Sequence, residues 1–227
     1  MPGSNYPSAF SLPPDDGLHL FDSVKYITGS ADVNFCNLEG TLLNSGGKPK
    51  KCNTPDNCVS FRIPEHYAGY LKNAGFDLVS TANNHSNDMG VEGKLSTINT
   101  LKKYDIEFAG YDDIPVTLFE KNGIIFGFTA FAPNNGTQNL NDIPNAVKII
   151  SGLRKKCKIL IVSFHGGAEG FSAQRVSYGK EIFLGENRGN VIEFAHSAVD
   201  AGADIVLGHG PHVPRALELY KGKLIAY

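Results

Sequence analysis

The stretch "STANNHSNDMG", residues 80–90, follows the apolar run "GFDLVS" and sets Asn83, Asn84, His85 and Ser86 in a row where a strand ends. Asparagine and histidine are poor strand formers and poor core residues, but good metal ligands, and histidine also carries protons. Alone, the stretch reads as a polar turn. Three other places repeat its pattern. "VNFCNL" ends in Glu39-Gly40, "ILIVSF" in His165-Gly166-Gly167 with Glu169 just beyond, and "DIVLG" in His209-Gly210-Pro211-His212. In open α/β sheets the carboxyl ends of strands are where ligands bind, and glycines let the backbone turn sharply beneath such a site.

Any one of these residues reads most simply as a hydrogen-bonded structural group or a turn residue. Together they form a set: one carboxylate, one amide oxygen and three imidazoles, a mixed oxygen and nitrogen donor list suited to a first-row metal. Such an ion acidifies water and polarises a substrate oxygen. His19, His66 and His196 lie in exposed-looking segments or beside a helical apolar stripe and are assigned to structure or solvent.

The remaining chain supplies a framework. Of 227 residues, 41% are hydrophobic and 19% charged, as in a globular protein, and the length fits one large domain or two small ones. A net charge of -2 gives no reason to expect nucleic acid or an anionic membrane surface. No apolar run approaches the ~20 residues that span a bilayer.

Segments of strand and helix character alternate after residue 30. "ADVNFCNL" reads as a buried strand and residues 42–62 as a long excursion loop. "PEHYAGYLKNAG" reads as a helix, with Pro64 in its first turn and Gly75 as its stop. "GVEGKLSTINTLKKYD" carries Leu95, Ile98 and Leu101 at helical spacing. "VTLFEKNGIIFGFTAF" and "ALELYKGKLIAY" read as hairpins turning at Asn122-Gly123 and Lys221-Gly222. "DIPNAVKIISGLRKKC" and "NVIEFAHSAVDAG" read as helices, the second burying Val191, Ala195, Ala198 and Val199 and ending at Gly202. "KILIVSF" is apolar throughout, as expected of a strand covered on both faces. The class is therefore α/β, with hairpins placed in mixed sheets or in two sheets packed face to face with helices outside.

Of the four cysteines, Cys36 and Cys157 sit in apolar runs and read as core thiols. Cys52 and Cys58 bracket the polar "NTPDN" and are expected to form a local disulfide, with two free thiols as the alternative. A disulfide would place the protein in an oxidising compartment.

The motifs "NLEG", "ANNHSNDMG", "HGGAE" and "GHGPHVPRALELYKGKLIAY", in this order, resemble the CapA family of bacterial capsule synthesis proteins. This family includes the poly-gamma-glutamate capsule proteins and belongs to the calcineurin-like metallophosphoesterase superfamily. The resemblance implies a four-layer α/β/β/α sandwich with one or two divalent transition metal ions (Mn, Fe or Zn). It implies metal ligands at Glu39, Asn84, His165, His209 and His212, with His85 as the catalytic proton donor. Arg215 and Arg188 become candidate contacts for an anionic substrate, with Glu169 beside them. The terminal pair here is His209-x-x-His212, where the superfamily has His-x-His, and Asn83 stands where it has glycine. Family members open with a strand ending in a metal-binding aspartate; "MPGSNYPS" resembles the segment just after it and "LIAY" the start of a further family stretch, so residues 1–227 are expected to be a single domain of this family trimmed at both ends.

Two functions follow from this resemblance. One is a metal-dependent hydrolase of capsule or exopolymer metabolism, acting on a phosphoester or an amide. The other is a binding module that holds an anionic polymer, with Arg175, Arg188 and Arg215 near the strand ends, within a membrane-associated capsule synthesis complex. A cleft with a degenerate, metal-free site, serving neither function, is the remaining reading. An extracytoplasmic or envelope-associated location goes with the family.

Overall fold

The computed structural model describes residues 2–51 and 58–227. The expected Cys52–Cys58 pairing involves Cys52, which lies outside the described residues. Two compact units are present, Met1–Val79 with His85–Glu107, and Ser80–Asn84 with Phe108–Tyr227.

The first unit carries a short α1 (Lys25–Thr28), β1 (Phe35–Asn37), β2 (Thr41–Leu42), β3 (Arg62–Ile63), α2 (Tyr67–Asn73), β4 (Leu78–Ser80), α3 (Gly90–Lys103) and the start of β5 (Glu107–Ala109). β1, β4 and β5 form a three-stranded sheet in that order, and β2 pairs in parallel with β3. The 42–62 excursion is thus closed at its base by a strand pair. Lys48 and Lys50 also donate their backbone N–H groups to the carbonyls of Met89 and Asp88, at 3.3 and 2.8 Å. α2 opens with the Tyr67 N–H donating to the carbonyl of Pro64, and Gly75, at φ +88°, follows its end. α3 buries Gly93, Thr97, Ile98, Thr100 and Leu101, while Leu95, expected on that stripe, is 54% exposed. Thr97 takes the inner position because its hydroxyl accepts from the Leu42 N–H at 2.8 Å, which a leucine could not do.

The second unit is built on a six-stranded sheet. Its members are β6 (Val116–Lys121), β7 (Ile124–Phe131), β8 (Ile159–His165), β11 (Ile205–His209), β12 (Leu217–Tyr220) and β13 (Lys223–Ala226), in the order β12-β13-β11-β8-β7-β6. The four central strands are parallel, and the two hairpins put one antiparallel strand at each edge. Both hairpins turn where expected, at Asn122-Gly123 (φ 53° and 75°) and Lys221-Gly222 (φ 49° and 77°). Positive φ at both central residues is the type I′ geometry that matches strand twist. The expected α/β class with hairpins inside mixed sheets is what is observed.

Helices α4 (Ile143–Arg154) and α5 (Val191–Asp200) start at Asp142 and Asn190, whose side chains accept from the N–H groups of Asn145 and Glu193. They pack on one sheet face with Phe131, Leu160, Val162, Phe164, Val206 and Ile225. Side chains alternate along a strand. Ile161, Ser163 and His165 of β8, and Ile205, Leu207 and His209 of β11, therefore point to the opposite face. Cys36 and Cys157 are free and half-buried, and burial raises both thiols, Cys36 to about 12.

Asp204, just before β11, holds the start of this sheet. Its carboxylate accepts from the Leu160 N–H at 2.8 Å, from Lys223 at 2.7 Å and from Arg154 at 2.5 Å. Burial pushes its pKa up, but the bonds from Lys223, Leu160 and Arg154 outweigh that, and the net direction is down. A depressed carboxylate stabilises the fold above its unfolded pKa of ~3.9, and that contribution is lost as pH falls through the folded value. Asp204→Asn is expected to cost about 2 kcal/mol at neutral pH. In thermal denaturation followed against pH, the gap between the two proteins should close below about pH 4.

Candidate active site

The candidate residues divide between the units. Glu39 and His85 belong to the first; Asn84, His165, Glu169, Arg188, His209, His212 and Arg215 belong to the second.

In the first unit Glu39 lies two residues past β1. Gly40 follows at φ +141°, where a Cβ would meet Ile63 Cδ1 at 2.8 Å, so the chain turns there only as glycine. Asn37 donates to Glu39 Oε2 at 3.1 Å, and Glu39 Oε1 lies 4.0 Å from His85 Nε2. His85 Nδ1 is 2.7 Å from Oδ2 of Asp88, which is fully buried. The same Oδ2 accepts from the Phe61 N–H at 2.5 Å, and Oδ1 pairs with Lys50 Nζ at 2.7 Å. Lys50 Nζ also lies 3.2 Å from His85 Nδ1, but the carboxylate is closer and can accept, so Nδ1 carries the proton and Nε2 is presented toward Glu39. The Phe61 ring, 4.3 Å away between centroids, covers the imidazole.

Asp88 and Lys50 were not singled out from the sequence. The signal for Asp88 was present in "HSND", where a carboxylate three residues after a histidine can close a turn onto it. Nothing local marks Lys50, which arrives from the excursion loop.

In the second unit β8 and β11 are adjacent and parallel, with His165 opposite His209 in the register. Both imidazoles point away from α4 and α5, and His165 is fully buried. Burial alone lowers His209 to about 4, so its ring is neutral at physiological pH. Gly210, at φ +113°, leaves β11 directly past His165; a Cβ there would lie 3.1 Å from His165 Nε2. His212 takes a left-handed backbone (φ 56°), with a half-exposed side chain whose Nε2 is 3.9 Å from Glu169 Oε2. Asn83 is buried, and Asn84 is half-buried.

Arg188 and Arg215, expected to contact an anionic substrate, are both turned inward. Arg215 Nη1 and Nη2 meet Glu181 at 3.1 and 2.6 Å, and its Nε donates to the Ala173 carbonyl at 2.7 Å. Its side chain is 1% exposed and that of Glu181 4%. Glu181 also accepts from the Ala168 N–H at 2.8 Å. Arg188 pairs with Glu169 at 3.0 Å and Glu186 at 2.9 Å, and lies over the Phe183 ring. Each guanidinium is thus engaged by carboxylates of this chain. Among the described residues, no group of three or more His, Cys, Asp or Glu side chains is gathered as a metal-holding cluster.

The family model described as bacterial capsule synthesis protein PGA_cap matches residues 1–227. The chain belongs to this family. It is 30% identical over 224 residues to the PGA biosynthesis protein CapA of Bacillus subtilis, covering 92% of this chain and 54% of the relative. To the capsule biosynthesis protein CapA of Bacillus anthracis it is 29% identical over 191 residues, covering 76% of this chain and 43% of the relative. This family member thus spans about half the length of the curated relatives it matches. A hypothetical protein from Thermus thermophilus has a similar fold, with a TM-score of 0.55 at 19% identity over 92% of this chain and 69% of that one. No helix among the described residues is long and apolar enough to cross a membrane.

The Arg215–Glu181 pair gives a stability test. Removing one partner of a buried pair leaves an uncompensated charge, so Glu181→Gln is expected to cost about 3–5 kcal/mol. The double variant Glu181→Leu/Arg215→Met should recover most of that loss, read as the thermal midpoint of each protein.

Proposed function

We propose that this capsule-family chain is a metal-dependent hydrolase-like protein of capsule or exopolymer biosynthesis, acting on a phosphoester or an amide of an anionic polymer. The observation that carries this reading is the His85–Asp88 pair. A buried carboxylate holds the Nδ1–H of the imidazole, which leaves Nε2 to take up a proton and then pass that proton to a leaving group, returning to the neutral ring. An ordinary surface histidine has neither the buried partner nor the fixed tautomer.

The donor chemistry fits a divalent transition ion. In the second unit His165 is a buried and His209 a half-buried imidazole on adjacent strands, and His209 is neutral, the form that ligates metal. Asn84 and His212 are further candidates there, and Glu39 offers a carboxylate in the first unit. A bound ion would supply Lewis-acid polarisation of a substrate oxygen. This chain's own residues do the rest: Asp88 orients His85, and Phe61 shields the pair from water. An extracytoplasmic or envelope-associated location goes with this reading, as does association with a capsule synthesis complex.

A second reading, a non-catalytic module that holds an anionic polymer, draws on the lack of a gathered cluster of three donors among the described residues.

Metal content and phosphodiester turnover, measured on wild type, His85→Gln and His165→Ala, separate the readings. The hydrolase reading expects His85→Gln to keep its metal and lose about 10²–10⁴-fold in rate, and His165→Ala to lose both. A wild type that binds metal yet turns over neither an ester nor an amide gives way to the polymer-binding module. If His85→Gln alone strips the metal, His85 is a ligand and not the proton donor.

A further inference from the structure

The segment 166–190, between β8 and α5, has a part that the site does not use. Arg215 fastens both feet of a loop within it, since its Nε takes the Ala173 carbonyl and its Nη atoms take the Glu181 carboxylate. The seven residues 174–180 between these feet can rise no more than about 12 Å, half their extended length. Directly after them comes the two-stranded hairpin of β9 (Ile182–Phe183) and β10 (Glu186–Asn187), turning at Leu184-Gly185.

This small region exposes large apolar side chains: Phe171 (82%), Tyr178 (92%), Ile182 (58%) and Leu184 (69%). Leu184 also holds φ +48°, a left-handed turn position where asparagine or glycine is the usual occupant. A leucine kept there, facing water, costs stability twice and points to a role outside the fold.

The charges follow a pattern. Arg188 is shared between Glu169 and Glu186, and Arg215 faces Glu181. Arg175 and Lys180 are exposed and stand outside these pairs; Arg175, Lys180, Arg188 and Arg215 against Glu169, Glu181 and Glu186 leave the region one net positive charge, carried on exposed cations among its apolar tips. A soluble polyglutamate would match the cations but offer the four apolar side chains nothing in which to bury. An anionic lipid surface matches both, with headgroups for Arg175 and Lys180 and the acyl boundary for the tips.

We propose that residues 171–186 form a lip that docks on an anionic lipid surface. This holds whether the chain is a hydrolase or a binding module. The test is co-sedimentation of the 227-residue chain with vesicles of phosphatidylcholine containing phosphatidylglycerol, against phosphatidylcholine alone. Binding is expected only to the anionic vesicles, and it should fall with salt. Arg175→Gln and Lys180→Gln should each weaken it about fivefold. Leu184→Asn should weaken it about tenfold while keeping or raising the thermal midpoint, because asparagine suits the turn; misfolding then cannot account for the loss. The proposal is overturned if wild type ignores anionic vesicles, or if Leu184→Asn binds them as wild type does. It is also overturned if soluble polyglutamate, and not the vesicles, binds through Arg175 and Lys180, or if the tip variants abolish self-association instead.

Discussion

The parallel register of β8 against β11 is the constraint on which the second unit depends. Packing Leu160, Val162, Phe164 and Val206 under α4 and α5 fixes which alternate residues face the other way. A slip of one residue in either strand would move its histidine into the apolar core and an aliphatic residue out. The same burial that holds the sheet together therefore puts His165 beside His209 and keeps His209 uncharged. Strand packing and the electronic state of the candidate ligands have one cause.

The buried arginines belong to a different task from the one their charge suggests. Arg188 and Arg215 lie within or against the long connection after β8, where backbone would otherwise turn without regular partners. Each draws a carboxylate and a carbonyl or an aromatic ring to itself and so gives this connection a fixed shape. Gly167 is needed because a Cβ there would lie 2.7 Å from Arg215 Nη1. A guanidinium with five donors in a rigid fork can hold several chain segments at once, which an ammonium cannot. Recognition of an anion from solution would require giving up these contacts.

Much of this architecture was legible in the chain. The hairpins were, because Asn-Gly and Lys-Gly between apolar runs leave the backbone few other choices. So were the strand-end histidines, because apolar strands announce where they stop. Asp88 was half legible, three residues from His85. Lys50, and the pairing of Arg215 with Glu181, were not, because contacts between residues 34 to 38 positions apart leave no periodic trace. The exposure of Leu95 was hidden for a related reason: the inner position went to Thr97 through a bond to a strand distant in sequence.

The His85 environment shows why neighbouring polar residues in "NNH" need not share a role. His85 is held from its Nδ1 side by Asp88, which is itself fixed by Lys50 and the Phe61 N–H. An imidazole so anchored keeps one nitrogen for presentation and resists rotation. The His165–His209 pair has the opposite character: a buried and a half-buried ring on adjacent strands, with His209 held neutral by desolvation. A hydrogen-bonded carboxylate partner favours an imidazole that can hold and release a proton; an apolar enclosure favours one whose lone pair stays available. The two kinds of histidine environment in this chain thus differ in the state in which they hold the ring, and they arise from local packing that each unit builds for itself.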